Sequence, residues 1–206
     1  NFDNSNILEV GSGAGLIKNV IHKCITSENF ETPDLDRFEN IYNLKFNNNE
    51  LSDIVMIDVF HHIEFPLKAL AEMSRVLHEK GRVIMLEPSM GMIPRLIFHL
   101  FHKEPNGFDF QISKGHQIKS DSNDYFAAQS YPYRIFYKKE IDFSNYFNVL
   151  TIDLKSDFTF LGSGGYGYSQ FYPLFMYNFF KKMDKFLSIF PRLFATRMLI
   201  VLENKK

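Results

Sequence analysis

The sequence lacks tryptophan, contains one cysteine among its 206 residues, and has no excess of either charge. A single cysteine, Cys24, excludes an internal disulfide framework and a cysteine-rich zinc site. With 23 basic and 24 acidic residues the net charge is −1, which gives no electrostatic reason to expect nucleic-acid binding. The longest stretch without charge, residues 158–180, is broken by glycine, proline and polar side chains, so it predicts no transmembrane helix.

Aromatic residues, in contrast, are abundant: there are 23 Phe and 10 Tyr. Hydrophobic residues make up 45% and charged residues 23%, which is the balance of a globular protein, and the length suits one domain spanning residues 1–206. The chain opens without a methionine or an export signal and enters a strand pattern almost at once. We therefore expect a natural N-terminus further upstream and a cytoplasmic location.

The first 90 residues alternate strand-like and helix-like segments. Strand patterns cover residues 7–10, 24–27, 53–59 and 82–87, and helix patterns cover residues 16–22 and 66–77. Pro66 suits the first position of the second helix, and Gly81 suits a position just past its end. This alternation predicts an α/β domain with a mainly parallel sheet.

The pattern changes after Pro88. Residues 138–146 predict another helix, and residues 149–154 and 198–203 predict the last two strands. Two long insertions, residues 89–137 and 155–195, separate these elements.

A glycine cluster follows the first strand in the run EVGSGAG, residues 9–15. Glycines let the backbone turn sharply and let a ligand approach main-chain N–H groups. The spacing is G-x-G-x-G rather than the G-x-G-x-x-G of nicotinamide enzymes, whose acidic residue follows about 20 residues later. Here the next strand ends at Glu28, only 13 residues after Gly15, so a nicotinamide oxidoreductase is disfavoured.

Several ordered motifs across residues 7–88 resemble the class I S-adenosylmethionine-dependent methyltransferases of the small-molecule, methyltransferase-11-like group. ILEVGSGAG matches the first motif, and DIVMIDVFHHIEFPLKALAEMSRVLHEKGRVIMLEP matches the second half of the same core. The resemblance implies a Rossmann-like, mainly parallel seven-stranded sheet with helices on both faces, an antiparallel last strand, and the insertions after strands 5 and 6. It also implies S-adenosylmethionine as cofactor, S-adenosylhomocysteine as product and a small-molecule methyl acceptor.

The resemblance further assigns cofactor roles to residues in four segments. Glu9 would face the ammonium group of the cofactor, and Glu28 would accept hydrogen bonds from both ribose hydroxyls. Asn40 and Ile41 stand where the family has an Asp-Ala pair that reads the adenine, and the Asn side-chain oxygen can still serve the adenine amino group. The implied cofactor-binding set is Glu9, Gly11, Ser12, Gly13, Gly15, Glu28, Asn40, Ile41, Asp58, Val59 and Phe60.

Methyl transfer from a sulfonium is an in-line displacement that needs proximity, orientation and a deprotonated nucleophile. His61 and His62 follow the fourth strand, so we predict them as catalytic residues, with at most one facing the substrate because neighbours in a strand alternate. The alternative is that both are structural. Adjacent histidines without a third ligand at a recognised spacing predict no metal site. Glu87, at the end of the fifth strand, is predicted to bind substrate or to cap a turn.

The last insertion holds more than a third of the aromatic residues, because 13 of the 40 residues 156–195 are Phe or Tyr. Apolar residues at 171, 175, 179, 183, 186 and 190 have helical spacing, with lysines near the other face. This helix could pack on the core or on a second copy of the chain, cover the acceptor site, or lie on a membrane surface. We expect the two insertions to cover an apolar or lipid-linked acceptor, with Tyr166 and Tyr168 binding it.

The sequence thus predicts an enzyme that transfers a methyl group from S-adenosylmethionine to a small molecule. The alternative is a catalytically weak methyltransferase-like domain that serves binding or assembly. No pattern distinguishes a sugar, lipid, quinone-like or amine acceptor.

Overall fold

A computed structural model of the protein describes residues 6–101, 104–112, 126–165 and 169–206. Its strands are β1 (Ile7–Val10), β2 (Ile25–Glu28), β3 (Arg37–Phe38), β4 (Leu51–Ile57), β5 (Leu77–Pro88), β6 (Phe147–Lys155) and β7 (Arg197–Asn204). They form one sheet in the order β3-β2-β1-β4-β5-β7-β6. β7 is antiparallel to β5 and to β6, and the other pairs are parallel. The predicted seven-stranded sheet with an antiparallel last strand is confirmed.

The α-helices of the described ranges are α1 (Pro66–Val76), α2 (Met92–Phe101), α3 (Phe158–Gly162), α4 (Tyr177–Leu187) and α5 (Pro191–Phe194). Pro66 occupies the first turn of α1, as predicted, where its missing N–H leaves no hydrogen bond unmade. α2 lies in the first insertion, and α3, α4 and α5 lie in the second. Both insertions therefore carry helices that sit after strands β5 and β6.

The core lies against the central parallel strands. All four residues of β1 are buried, and Ile54 and Met56 of β4 have no exposed surface. From α1, Leu70 and Met73 are equally buried. Continuous burial along β1 is what a parallel strand covered on both faces requires. The parallel arrangement brings the carboxyl ends of β1, β2, β4 and β5 to one edge, where ligands of open α/β sheets bind.

Two predicted helix ends in the first half differ from the structure. The segment 16–22 forms only a single 3₁₀ turn, Leu16–Asn19, because the backbone leaves a left-handed residue, Gly15, and turns directly toward β2. Gly81 does not follow the end of α1 but lies inside β5, which the chain enters straight from the helix. A Cβ atom at Gly81 would lie 2.8 Å from the carbonyl oxygen of Ser52 in β4, so close strand approach explains this glycine.

The predicted helix 138–146 is wrong. A π-helical turn, Tyr133–Tyr137, precedes it, and Lys139 then adopts a left-handed φ of 56°, which ends the helical path. Arg134 donates a hydrogen bond to the carbonyl oxygen of Gly107 at 2.8 Å. That bond lies within the first insertion. In the segment itself Ile141 and Phe143 are buried in the core, so packing of these side chains replaces the helix that local spacing suggested.

Candidate active site

The glycine loop after β1 is a left-handed turn that packs on one side and opens on the other. Gly11, Gly13 and Gly15 have φ values of 71°, 53° and 66°. A Cβ atom on Gly11 would lie 2.4 Å from Cγ2 of Val59, whereas no described atom lies within 4 Å of a Cβ on Gly13. The Gly13 N–H donates to Oε1 of Glu28 at 2.8 Å. The loop is therefore fixed between β2 and the segment after β4, with free space above Gly13.

Glu9 brings a buried carboxylate to the base of this loop. Its side chain is 5% exposed, and its Oε2 atom makes no hydrogen bond within the described residues. Burial raises the pKa of Glu9; a hydrogen bond from Ser12 opposes this, and the charge of Glu28 adds to it. The hydroxyl of Ser27 donates to the Glu9 carbonyl oxygen at 2.8 Å, which fixes the backbone. An unpaired buried carboxylate oxygen is unfavourable, so the site is suited to a cationic group.

Glu28 and Asn40 lie near each other at the open edge beside β2. The backbone N–H of Glu39 donates to the carbonyl oxygen of Glu28 at 2.9 Å, which brings the next residue alongside. Among the described residues, the second carboxylate oxygen of Glu28 has a single contact, at 3.4 Å with the following N–H, so acceptor capacity remains. The side-chain oxygen of Asn40 accepts from the Tyr42 N–H at 2.9 Å. Ile41 packs half-buried against the core.

Glu87 organises the turn that follows β4. Its carboxylate is fully buried, and Oε1 accepts from the N–H groups of Val59 at 2.9 Å and Phe60 at 2.6 Å. Oε2 lies 2.7 Å from Nδ1 of His61. Glu87 thus caps the 3₁₀ turn Phe60–His62 and orients its first histidine; its predicted contact with substrate stays a prediction.

The two histidines face one carboxylate from the first insertion. Nε2 of His61 lies 3.6 Å from Oε2 of Glu104, and Nε2 of His62 lies 4.0 Å from Oε1. Nδ1 of His62 lies 3.1 Å from the carbonyl oxygen of Phe126, and the side-chain amide of Gln129 donates to Glu104. Strand alternation does not separate the rings, since they sit on a 3₁₀ turn with centroids 4.0 Å apart.

The two rings differ in charge because their surroundings differ. Burial alone would lower the pKa of His61, but Glu104 and Glu87 outweigh it and raise the pKa to about 9. Burial and the neighbouring charge of His61 lower the pKa of His62. At neutral pH, therefore, the ligand-free protein carries a charged His61 and an uncharged His62.

Asp58 is held by an arginine that the sequence did not single out. It adopts a left-handed φ of 57°, and its carboxylate pairs with both terminal nitrogens of Arg197 at 2.5 and 2.9 Å. Arg197 begins β7, 139 residues further along the chain, so no local motif signals the pair. Of the neighbouring residues, Val59 packs on Gly11, and Phe60 is buried in the core against Phe136.

A cavity of about 960 Å³ extends from Asp58 under the two insertions. Its polar end is formed by Asp58, His61, His62, Glu104 and Arg197. Its remaining walls are mainly apolar and come from α2, α3, α4 and the loop between the last two; they include Ile97, Phe98, Phe158, Phe160, Leu161, Phe171, Tyr172, Phe180 and Met183. Tyr166 and Tyr168, predicted to bind substrate, lie outside the described residues.

An exposed apolar surface adjoins this cavity. It comprises Met92, Ile93, Leu96, Leu100, Phe171, Leu174, Phe175, Phe179, Phe186, Ile189, Phe190 and Leu193. Phe171 is 80% exposed and also lines the cavity, and α2 packs against α5. Of the predicted helical stripe, Met183 faces the cavity, while Phe175, Phe179 and Phe186 are exposed and do not pack on the core.

Comparison with known proteins identifies the fold and the family of the core. Residues 8–85 match a family model described as a methyltransferase domain, which runs from β1 into β5 and ends two residues before Glu87. Over these 78 of its 206 residues, the chain is similar to a methyltransferase domain. No curated protein matches this chain in sequence.

Solved structures share the fold of this chain at low sequence identity. A SAM-dependent methyltransferase from Archaeoglobus fulgidus matches with a TM-score of 0.57 and 11% identity over 99% of this chain and 88% of that one. A putative sarcosine dimethylglycine methyltransferase from Galdieria sulphuraria matches with a TM-score of 0.51 and 12% identity, over 98% and 78%. A possible histamine N-methyltransferase from Thermotoga maritima matches with a TM-score of 0.51 and 11% identity, over 98% and 83%.

None of the helices in the described part of the chain is long and apolar enough to cross a membrane.

Proposed function

We propose that this methyltransferase transfers a methyl group from S-adenosylmethionine to an apolar or lipid-linked small molecule bound in the cavity. The observation that supports the proposal is that the cavity lies next to the glycine loop. The cavity begins at Asp58, and the following residue, Val59, is the one on which Gly11 of the glycine loop packs. A cofactor on the loop would therefore meet an acceptor in the cavity, and the apolar walls favour burial of an apolar acceptor.

Three features of the chain fit the cofactor. Oε2 of Glu9 is a buried oxygen that lacks a described donor, which suits an ammonium group. The space above Gly13 admits the methionyl part, and the carboxylate of Glu28 retains acceptor capacity for ribose hydroxyls. Ser12 and Gly15 shape the turn, and Asn40 and Ile41 stand at the adenine side, with Asp58, Val59 and Phe60 on the cavity side. S-adenosylmethionine would supply an activated methyl group on a sulfonium.

The chain's own residues then bind, orient and exclude water. The insertions wall off the acceptor, and the polar end of the cavity holds its nucleophilic atom near His62 and Glu104. His62 presents Nε2 toward this end and is uncharged at neutral pH, so it is the histidine able to accept a proton. His61, bonded to Glu87, orients the pair instead.

Transfer of a tritiated methyl group tests the acceptor class. Incubation with methyl-labelled S-adenosylmethionine and a total cellular lipid extract should label material that partitions into organic solvent. Met183→Trp fills the cavity and should abolish labelling while leaving S-adenosylhomocysteine affinity unchanged. Asn178→Trp, on the exposed side of the same helix, should leave both unchanged. Labelling confined to water-soluble compounds would contradict an apolar acceptor.

We further propose that the exposed apolar surface rests on an anionic membrane, from which the acceptor enters. Lys182, Lys185 and Arg192 are exposed on the same helices and suit anionic headgroups. The protein should sediment with phosphatidylcholine vesicles that contain phosphatidylglycerol, and Phe175→Ser with Phe179→Ser should abolish this. Val20→Ser, at an equally exposed apolar position elsewhere, is the control. Absence of vesicle binding, with a dimer seen by light scattering, would assign the surface to self-association instead.

A further inference from the structure

We infer that Nε2 of His61, Nε2 of His62 and the carboxylate of Glu104 bind a divalent transition-metal ion at the polar end of the cavity. One ligand atom from each of the three residues lies within 4.8 Å of the others. The Glu104 oxygens are 3.6 and 4.0 Å from the two nitrogens. Ligands of a tetrahedral zinc ion, each about 2.1 Å from the metal, lie about 3.4 Å apart. Small side-chain movements would therefore close the site.

The Nδ1 atom of each histidine already has the kind of hydrogen-bond partner that it has in metal sites. Nδ1 of His61 lies 2.7 Å from the carboxylate of Glu87, and Nδ1 of His62 lies 3.1 Å from the carbonyl oxygen of Phe126. Metal-binding histidines donate their second N–H to a carboxylate or a carbonyl, which fixes the tautomer and aims the other nitrogen. Binding of an ion displaces the Nε2 proton of the charged His61, and with protons kept on both Nδ1 atoms the two rings would direct Nε2 lone pairs at the ion beside Glu104.

Gln129 gives an independent indication of a polar ligand at this place. The residue is 2% exposed, lines the cavity, and donates its amide N–H to Glu104. Its side-chain oxygen makes no hydrogen bond with any described residue. Leaving such an acceptor unpaired is unfavourable, and a water or hydroxyl bound to the ion would donate to it. Gln129 thus orients one ligand and accepts from the group in the open position.

A second group, formed by Asp58, His61 and Glu87, is also close enough to hold an ion but is already paired. Both oxygens of Asp58 accept from Arg197, and Glu87 accepts from two backbone N–H groups as well as from the ring. The set with two histidines and Glu104 supplies three protein ligands and leaves at least one position open. That composition is typical of catalytic rather than structural sites.

The inference rests on the proposed function and narrows the acceptor to one that carries a hydroxyl group. An ion at this site would bind the hydroxyl oxygen and lower its pKa, so that the proton is lost to water in the cavity mouth. The oxygen then bonds to the methyl carbon while the sulfur–carbon bond breaks, and its electron pair stays on sulfur as a neutral thioether. In the metal-loaded enzyme His62 holds the ion rather than accepting the proton.

Calorimetric titration of ZnCl₂ into chelator-treated, dialysed protein tests the site. We expect one ion per chain, bound at least tenfold more weakly by His62→Gln and by Glu104→Gln. His99→Gln, at an exposed histidine on α2, should bind as the wild type does. Cobalt(II) should give the visible bands of a four- or five-coordinate ion with the wild type, and these should vanish in both ligand variants.

The inference would be overturned if His62→Gln and Glu104→Gln left the zinc affinity unchanged. It would also be overturned if the wild type bound no stoichiometric zinc. S-adenosylhomocysteine binding is measured on the same samples with and without chelator. Metal-free wild type that binds S-adenosylhomocysteine but takes up no zinc refutes the metal site alone. Wild type that takes up zinc but binds no S-adenosylhomocysteine refutes the proposed function instead.

Discussion

Alanine at position 11 would collide with Val59, whereas alanine at position 13 would meet open space. Both glycines have left-handed φ values, and holding an L-residue there costs about 1–2 kcal/mol. At Gly11 the Cβ atom would also lie 2.4 Å from Cγ2 of Val59, and overpacking of this kind adds about 1–3 kcal/mol. We expect Gly11→Ala to lower the free energy of unfolding by about 2–5 kcal/mol, and Gly13→Ala by about 1–2 kcal/mol.

Urea unfolding of both variants, of Val59→Ala and of the double variant Gly11→Ala/Val59→Ala measures the difference. Val59→Ala removes both methyl groups that the new Cβ would meet, so the double variant should recover about 1–3 kcal/mol relative to additivity. Gly13→Ala should instead weaken S-adenosylhomocysteine binding, because its methyl group enters the space proposed for the methionyl part. Equal destabilisation by the two alanines, or additivity with Val59→Ala, would refute this account of the loop.

Three further outcomes are expected. Arg197→Met removes the partner of the Asp58 carboxylate, whose side chain is 17% exposed. The free energy of unfolding in urea should therefore fall by about 2–3 kcal/mol, and adding Asp58→Asn should restore part of it. Because the pKa of Glu9 is raised in the folded protein, its ionisation opposes folding at pH values above that pKa. Glu9→Gln should therefore raise the free energy of unfolding of the ligand-free protein at pH 8 but not at pH 4. The same substitution should weaken S-adenosylhomocysteine binding at pH 8. Asn204 makes four hydrogen bonds, three of them buried and one of these accepted from the Ser74 hydroxyl. Asn204→Ala should therefore lower the free energy of unfolding in urea by about 3–4 kcal/mol, and a decrease under about 1 kcal/mol would contradict a stabilising role for these bonds.

The parts of the fold that depend on local pattern could be predicted from the sequence. Pro66 marks the start of α1, and buried β-branched runs locate β1, β4 and β7, because hydrophobic periodicity and helix-start chemistry act over a few residues. The glycine spacing and the acidic residue ending β2 likewise indicated the loop and Glu28, but not the hydrogen bond that the Gly13 N–H donates to Glu28. Strand β3 was missed because its two residues are too few to show any period.

The parts that depend on contacts distant in sequence could not be predicted. Glu104 meets the histidines only because the first insertion folds back over the end of β4, and Arg197 reaches Asp58 only because β7 inserts beside β5. Helical spacing located α4 but could not tell which of its apolar faces is buried, and Phe179 proved exposed. The segment 138–146 forms no helix because Ile141 and Phe143 pack in the core, and the helical spacing of its residues does not reveal that packing.

The central claim, that the glycine loop and Glu28 bind the adenosyl cofactor, is tested most directly by calorimetric titration of S-adenosylhomocysteine. The wild type should bind one molecule per chain. Glu28→Ala removes about two charge-assisted hydrogen bonds of about 1.5 kcal/mol or more each, so its affinity should fall at least about 100-fold. Glu31→Ala, at an exposed carboxylate three residues away, should bind like the wild type. Absence of binding by the wild type, or equal affinity for wild type and Glu28→Ala, would contradict the account.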